Sequence, residues 1–60
     1  MKIIVFGQTY AVRDELRGLG YRWDGENKQW MKEEATDADK EAIDHEIHYH
    51  WNGVEREVIR

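Results

Sequence analysis

Sixty residues, no cysteine, no proline and a formal charge of −4 exclude several classes of protein at once. A chain this short supports a single domain, residues 1–60. It buries only ~60% of its unfolded surface and has no room for a deep cavity walled on all sides. Without cysteine there is neither a disulfide nor a thiolate zinc centre.

The first element expected is a strand. Ile3-Ile4-Val5-Phe6 is the longest apolar run and stops at Gly7, as a short buried strand does. It is far short of the ~20 residues of a membrane span. Thr9 then offers a hydroxyl cap to a helix whose Val12, Leu16 and Leu19 share one face. Asp14 and Glu15 early and Arg17 late suit the helix dipole, and Gly20 is a left-handed stop.

A hairpin follows. Tyr21 and Trp23 alternate with Arg22, Asp24-Gly25-Glu26-Asn27 is turn chemistry, and Trp30 and Lys32 alternate with Met31. The loop is long enough to leave the pairing register open. Tyr21, Trp23 and Trp30 are candidates for one side of it.

Thr36 and Asp39 have the spacing of a capping box, with Asp in place of Glu. Ala38, Ala42, Ile43 and Ile47 form the expected apolar stripe of the second helix. Two readings remain for residues 47–51. Ile43, Ile47, Trp51 and Val54 keep helical spacing, so the helix could run to Trp51. Alternatively, Ile47, Tyr49 and Trp51 alternate as a strand, and Asn52-Gly53 turns it into a hairpin. The helical reading is adopted, because it spares a small core a fifth strand. The fold expected is α+β: a small two-layer β-α-β-β-α-β unit, with an antiparallel sheet and both helices on one face. Seven aromatic residues among sixty argue against disorder.

Charge is unevenly distributed. Residues 1–32 carry a net +2, residues 33–46 a net −6, and residues 47–60 balance. All the surplus negative charge thus falls in one fourteen-residue segment. Such asymmetry bears on partner choice rather than on fold.

The stretch from Thr9 to Trp30 carries a recognisable pattern. Thr9, Tyr10, Val12, Arg13, Asp14, Leu16, Arg17, Leu19, Gly20, Arg22, Trp23, Asp24, Lys28 and Trp30 form a capped helix, a glycine stop, an Arg-Trp-Asp strand, a lysine and a second tryptophan. This resembles a short motif of phage and mobile-element proteins, and more distantly the HARP modules attached to annealing helicases. Gln8, Ala11 and Tyr21 depart from it, where Asn or Asp, Pro, and Gly or Ala are commoner. The resemblance covers about a third of the chain and implies a local helix-plus-hairpin structure.

Two surfaces compete for function. In the first, Glu33, Glu34, Asp37, Glu41 and Asp44 form a row of carboxylates that imitates a phosphate backbone. That row would fit the basic groove of a nucleic-acid-handling protein. Its plain alternative is a solvated helix face. In the second, Trp23 or Trp30 stacks a base while Arg13, Arg17, Arg22 and Lys28 meet phosphates. Its plain alternative is a pair of core tryptophans under solvated basic side chains. Net charge −4 weighs against tight nonspecific binding of nucleic acid.

The leading expectation is therefore a non-enzymatic, cytoplasmic binding protein of a phage or mobile element. Its acidic surface would block a host nucleic-acid-binding protein or complex. Anti-restriction and anti-CRISPR inhibitors are similar in size and charge. The alternative is a helper module that itself binds nucleic acid. A monomer or a homodimer is expected, with no membrane partner. Catalysis has little support, because the chain has no serine, no cysteine and no phosphate-binding glycine loop. No cofactor and no metal is expected. Glu41, His45 and His48 have ligand types at i, i+4 and i+7, but this is no known signature. The histidines among many carboxylates suggest a pH-responsive surface instead.

Overall fold

The computed structural model describes all residues 1–60. Four strands, β1 (Lys2–Gly7), β2 (Arg22–Asp24), β3 (Gln29–Lys32) and β4 (Val54–Ile59), form one sheet in the order β2-β3-β1-β4. Every neighbouring pair is antiparallel. A 3-10 turn (Tyr10–Val12) leads into helix α1 (Arg13–Gly18), and α2 spans Asp37–Tyr49. The Cα radius of gyration is 10.2 Å.

The apolar run takes the centre of the sheet, where a strand has neighbours on both sides. Ile3 pairs with Lys32 and Val58, and Val5 with Trp30 and Arg56. Pleating therefore sends Ile3, Val5, Trp30 and Val58 to one face. Ile3, Val5, Leu16 of α1 and Ile43 of α2 are fully buried in a single cluster with Tyr21, Trp30, Ala35, Trp51 and Val54. Both helices thus cover the same sheet face, as the two-layer reading requires. The other face carries Ile4, Phe6, Met31, Glu57 and Ile59 and has no second layer.

Thr36 caps α2 as its spacing predicts. Its hydroxyl accepts from the Asp39 N–H at 3.2 Å, and the Asp39 carboxylate accepts from the Thr36 N–H at 2.9 Å. The helix stops at Tyr49, two residues before Trp51. The N–H groups of His50 and Trp51 both donate to the Glu46 carbonyl, at 2.9 and 2.8 Å. That closure turns Trp51 back into the core, where it is buried beside Val54. Asn52 and Gly53 then lead into β4. The helical reading of residues 47–51 thus holds for 47–49 but not for 50–51, and Trp51 owes its burial to the turn rather than to helical spacing.

Three expectations need correction. Thr9 makes no side-chain cap; its carbonyl accepts from the Val12 N–H at 3.1 Å, and α1 is entered through the 3-10 turn. Leu19 lies beyond the end of α1 and is exposed. Ala38 and Ala42 are also exposed. They sit about 140° and 100° around the helix from Ile43, on the side opposite to that of Lys40, Asp44 and Ile47. The inner side of α2 is instead half polar. Asp44 accepts from Arg56 of β4 through Nε at 2.7 Å and Nη2 at 3.3 Å, and from Lys40 at 2.9 Å.

Candidate functional site

The helix-plus-hairpin segment builds a groove. The hairpin register places Trp23 directly opposite Trp30, with ring centroids 5.4 Å apart and planes tilted by 58°. The register is held by the loop. The Asp24 carboxylate accepts from the N–H groups of Glu26 and Asn27 and from the Asn27 side chain at 2.9 Å. The Asn27 hydrogen bond is the main reason that the Asp24 carboxyl lies below its ordinary range.

The two tryptophans have different fates. Trp30, on the inner strand of the hairpin, is 4% exposed and belongs to the core. Trp23, on the edge strand, remains 49% exposed. The sequence offered both as either core or binding residues; position within the sheet separates them. Trp51 is buried too, so Trp23 is the one tryptophan facing solvent.

Gly7, Thr9, Tyr10, Arg13, Arg17, Trp23 and Trp30 line a groove of about 400 Å³ between the start of α1 and the hairpin. No carboxylate is among them. The Arg13 guanidinium stacks over the Tyr10 ring at 4.0 Å and donates to the Tyr10 carbonyl at 2.7 Å. The Arg17 guanidinium lies 5.7 Å from the Trp30 ring centroid. Arg17 also pairs with Asp14 at 3.0 Å, but both side chains are well exposed. Such pairs contribute only about 0–1 kcal/mol and exchange readily. Tyr10 is 78% exposed, yet its place in this groove was not singled out among the candidate residues. Its position one turn before Arg13 was the available signal.

The structure thus brings Arg13, Arg17, Trp23 and Trp30 together. Arg22 points to the opposite sheet face and lines a second groove with Gly20, Trp23, Asp24, Met31 and Glu33. Trp23 forms a wall of both grooves. Lys28 sits in the hairpin loop at a φ of +56° and lines neither groove.

The acidic segment divides as well. Asp44 is clamped by Arg56 and Lys40, and the Arg56 hydrogen bond is the main cause of its lowered pKa. The same contact raises that of Arg56. Asp39 is held by its capping bond and by Lys32 at 2.9 Å, which together lower its pKa, the Thr36 N–H contributing most. Beside this network Tyr21 is buried with its hydroxyl unpaired, and desolvation above all pushes it up to about 12. Glu33, Glu34, Asp37 and Glu41 are exposed and make no ion pair. Asp37 and Glu41 lie about 120° and 160° around α2 from Ile43, on its outward side.

No helix is long and apolar enough to cross a membrane. No family model matches the chain, and it matches no curated protein and no solved structure.

Proposed function

We propose that the groove beside Trp23 binds single-stranded nucleic acid. The observation that carries this reading is a half-exposed tryptophan facing two arginines across a groove free of carboxylates. Every base has a π face, so an exposed indole stacks single strands of any sequence, at about 1–3 kcal/mol per base. Arg13 and Arg17 supply guanidinium groups for phosphates, and the aromatic rings under them keep them in place. The volume of about 400 Å³ suits a base or two rather than a duplex. The net charge of −4 does not oppose this locally, because the negative surplus lies in residues 33–46. It does favour weak, salt-sensitive binding. The resemblance to HARP-like modules is compatible with this role.

Titration with a single-stranded oligothymidylate at low salt tests the reading. Trp23 fluorescence is expected to be quenched on binding. Two phosphates neutralised by Arg13 and Arg17 give a slope of log K against log salt near about −1.4, falling to about −0.7 in Arg17→Ala. Quenching that is indifferent to salt and to Arg17→Ala would overturn it.

A second reading retains the acidic surface. Four exposed, unpaired carboxylates at Glu33, Glu34, Asp37 and Glu41 favour a basic partner, such as the nucleic-acid groove of a host defence protein. That would make the chain a non-enzymatic phage or mobile-element inhibitor of the anti-CRISPR or anti-restriction kind. Asp44 drops out of this surface, since its charge is used by Arg56 and Lys40. Reversing Asp37 and Glu41 to Lys is expected to abolish binding to such a partner. Unchanged binding would discard this reading.

A further inference from the structure

The end of α2 gathers metal-ligand chemistry that neither surface uses. In a continuous helix, residues five apart lie about 140° around the axis from one another, so His45 and His50 would diverge. The helix is not continuous there. His50 is the C-cap, with φ −127° and ψ −30°. That φ is about 60° from the helical value, so His50 does not continue the helical spiral. The His45 and His50 rings come to a centroid separation of 5.6 Å. Glu46 joins them, with its Oε1 3.8 Å from His45 Nδ1. One ligand atom from each of His45, Glu46 and His50 lies within 4.8 Å of the others.

We propose that His45, Glu46 and His50 form a divalent transition-metal site at the C-terminal end of α2. Two imidazoles and one carboxylate are a ligand set of intermediate softness, filled by Zn²⁺, Ni²⁺ or Cu²⁺ rather than by Ca²⁺ or Mg²⁺. Bonds of about 2.0–2.2 Å in a tetrahedron require ligand atoms roughly 3.3 Å apart. The site therefore requires the ligand atoms to close from within 4.8 Å, and both histidine side chains are exposed. The negative end of the helix dipole favours a cation at this place. Three protein ligands leave a coordination position open to water or to an incoming group. His48, the partner that helical spacing favoured, is not in this cluster; both its ring and that of His45 pack on Tyr49, at 4.5 and 4.7 Å. The proposal is independent of the nucleic-acid reading.

Calorimetric titration of chelator-stripped protein with zinc chloride tests it. Saturable one-to-one binding is expected. His45→Ala and His50→Ala should each weaken it at least about tenfold, since losing even the hydrogen-bond partner of a metal ligand usually costs that much. His48→Ala should leave it within about twofold of the parent. All three histidines are exposed, so these variants keep the fold; unchanged near-ultraviolet dichroism of buried Trp51 checks that. With nickel chloride, paramagnetic broadening of amide signals should centre on residues 45–50. Absence of saturable binding would overturn the proposal. So would equal losses in His48→Ala and His50→Ala, or broadening centred on Glu33, Glu34 and Asp37.

Discussion

Asp44→Asn probes the joint between α2 and the sheet. The substitution keeps the size of the side chain and removes its charge. Three donors lose a charged acceptor: Arg56 Nε at 2.7 Å, Arg56 Nη2 at 3.3 Å and Lys40 Nζ at 2.9 Å. A buried hydrogen bond to a charged group contributes about 1.5–3 kcal/mol, and a fully exposed ion pair about 0.2–1 kcal/mol. The Asp44 and Arg56 side chains are 34% and 33% exposed, so solvent screens part of the interaction. An intermediate loss of about 1–2 kcal/mol follows. Sixty residues carry a total stability of roughly 3–9 kcal/mol, so the loss is a large share of it. The melting temperature should fall by roughly 5–15 °C, at about 4–8 °C per kcal/mol for a domain of this size. Urea denaturation should show a lower midpoint with an unchanged slope. Glu41→Gln, on the outward side of the same helix, should stay within about 0.5 kcal/mol of the parent. The pH dependence has a definite sign. The folded carboxyl of Asp44 is lowered, so its contribution is present above the unfolded value near ~4 and is lost as pH falls through the lower folded one. The gap between parent and Asp44→Asn should therefore close in acid below that window. An unshifted midpoint at neutral pH, or a gap that persists in strong acid, would refute the assignment of this clamp.

Two further substitutions test the local geometry. Gly7→Ala should destabilise the fold severely. Gly7 has φ +95°, and a Cβ there would stand 2.5 Å from the Gly53 carbonyl oxygen, where backbone meets backbone. A thermal melt close to that of the parent would contradict the tight approach of β1 to the turn before β4. Thr36→Ala removes half of the capping box and should cost about 1 kcal/mol, read from urea denaturation. Thr9→Val should cost far less than that through helix capping, since the Thr9 side chain caps nothing. Equal losses at the two threonines would show that the two helix starts were misassigned.

The elements legible in the sequence were those fixed by local chemistry. The run Ile3–Phe6, the turn at Asp24, the Thr36–Asp39 box and the stop at Gly20, with φ +93°, all depend on near neighbours. The limits of periodicity show on α2. Its inward side is shared between Ile43, Ile47 and an ion-pair network, so counting apolar positions assigned Ala38 and Ala42 to the wrong side. Trp51 is buried after the helix ends, because Glu46 accepts two N–H groups and turns the chain. Neither event has a signature in spacing. The same holds for the site. Arg13, Arg17, Trp23 and Trp30 were legible as a set because the helix and the hairpin are adjacent in the chain. That Trp30 is buried and Trp23 half exposed depends on which hairpin strand pairs with β1, a contact between distant segments. Likewise Asp44 reads as a free carboxylate in the sequence, because its partner Arg56 stands twelve residues away on β4.

Amide chemical-shift mapping with a single-stranded oligothymidylate is the most direct test of nucleic-acid binding beside Trp23. It reads the groove and the acidic surface in one titration. Shifts are expected at Gly7, Thr9, Tyr10, Arg13, Arg17, the Trp23 indole and Trp30, with Glu33, Glu34, Asp37 and Glu41 unmoved. No shift at the Trp23 indole, or shifts spread evenly over the surface, would contradict it.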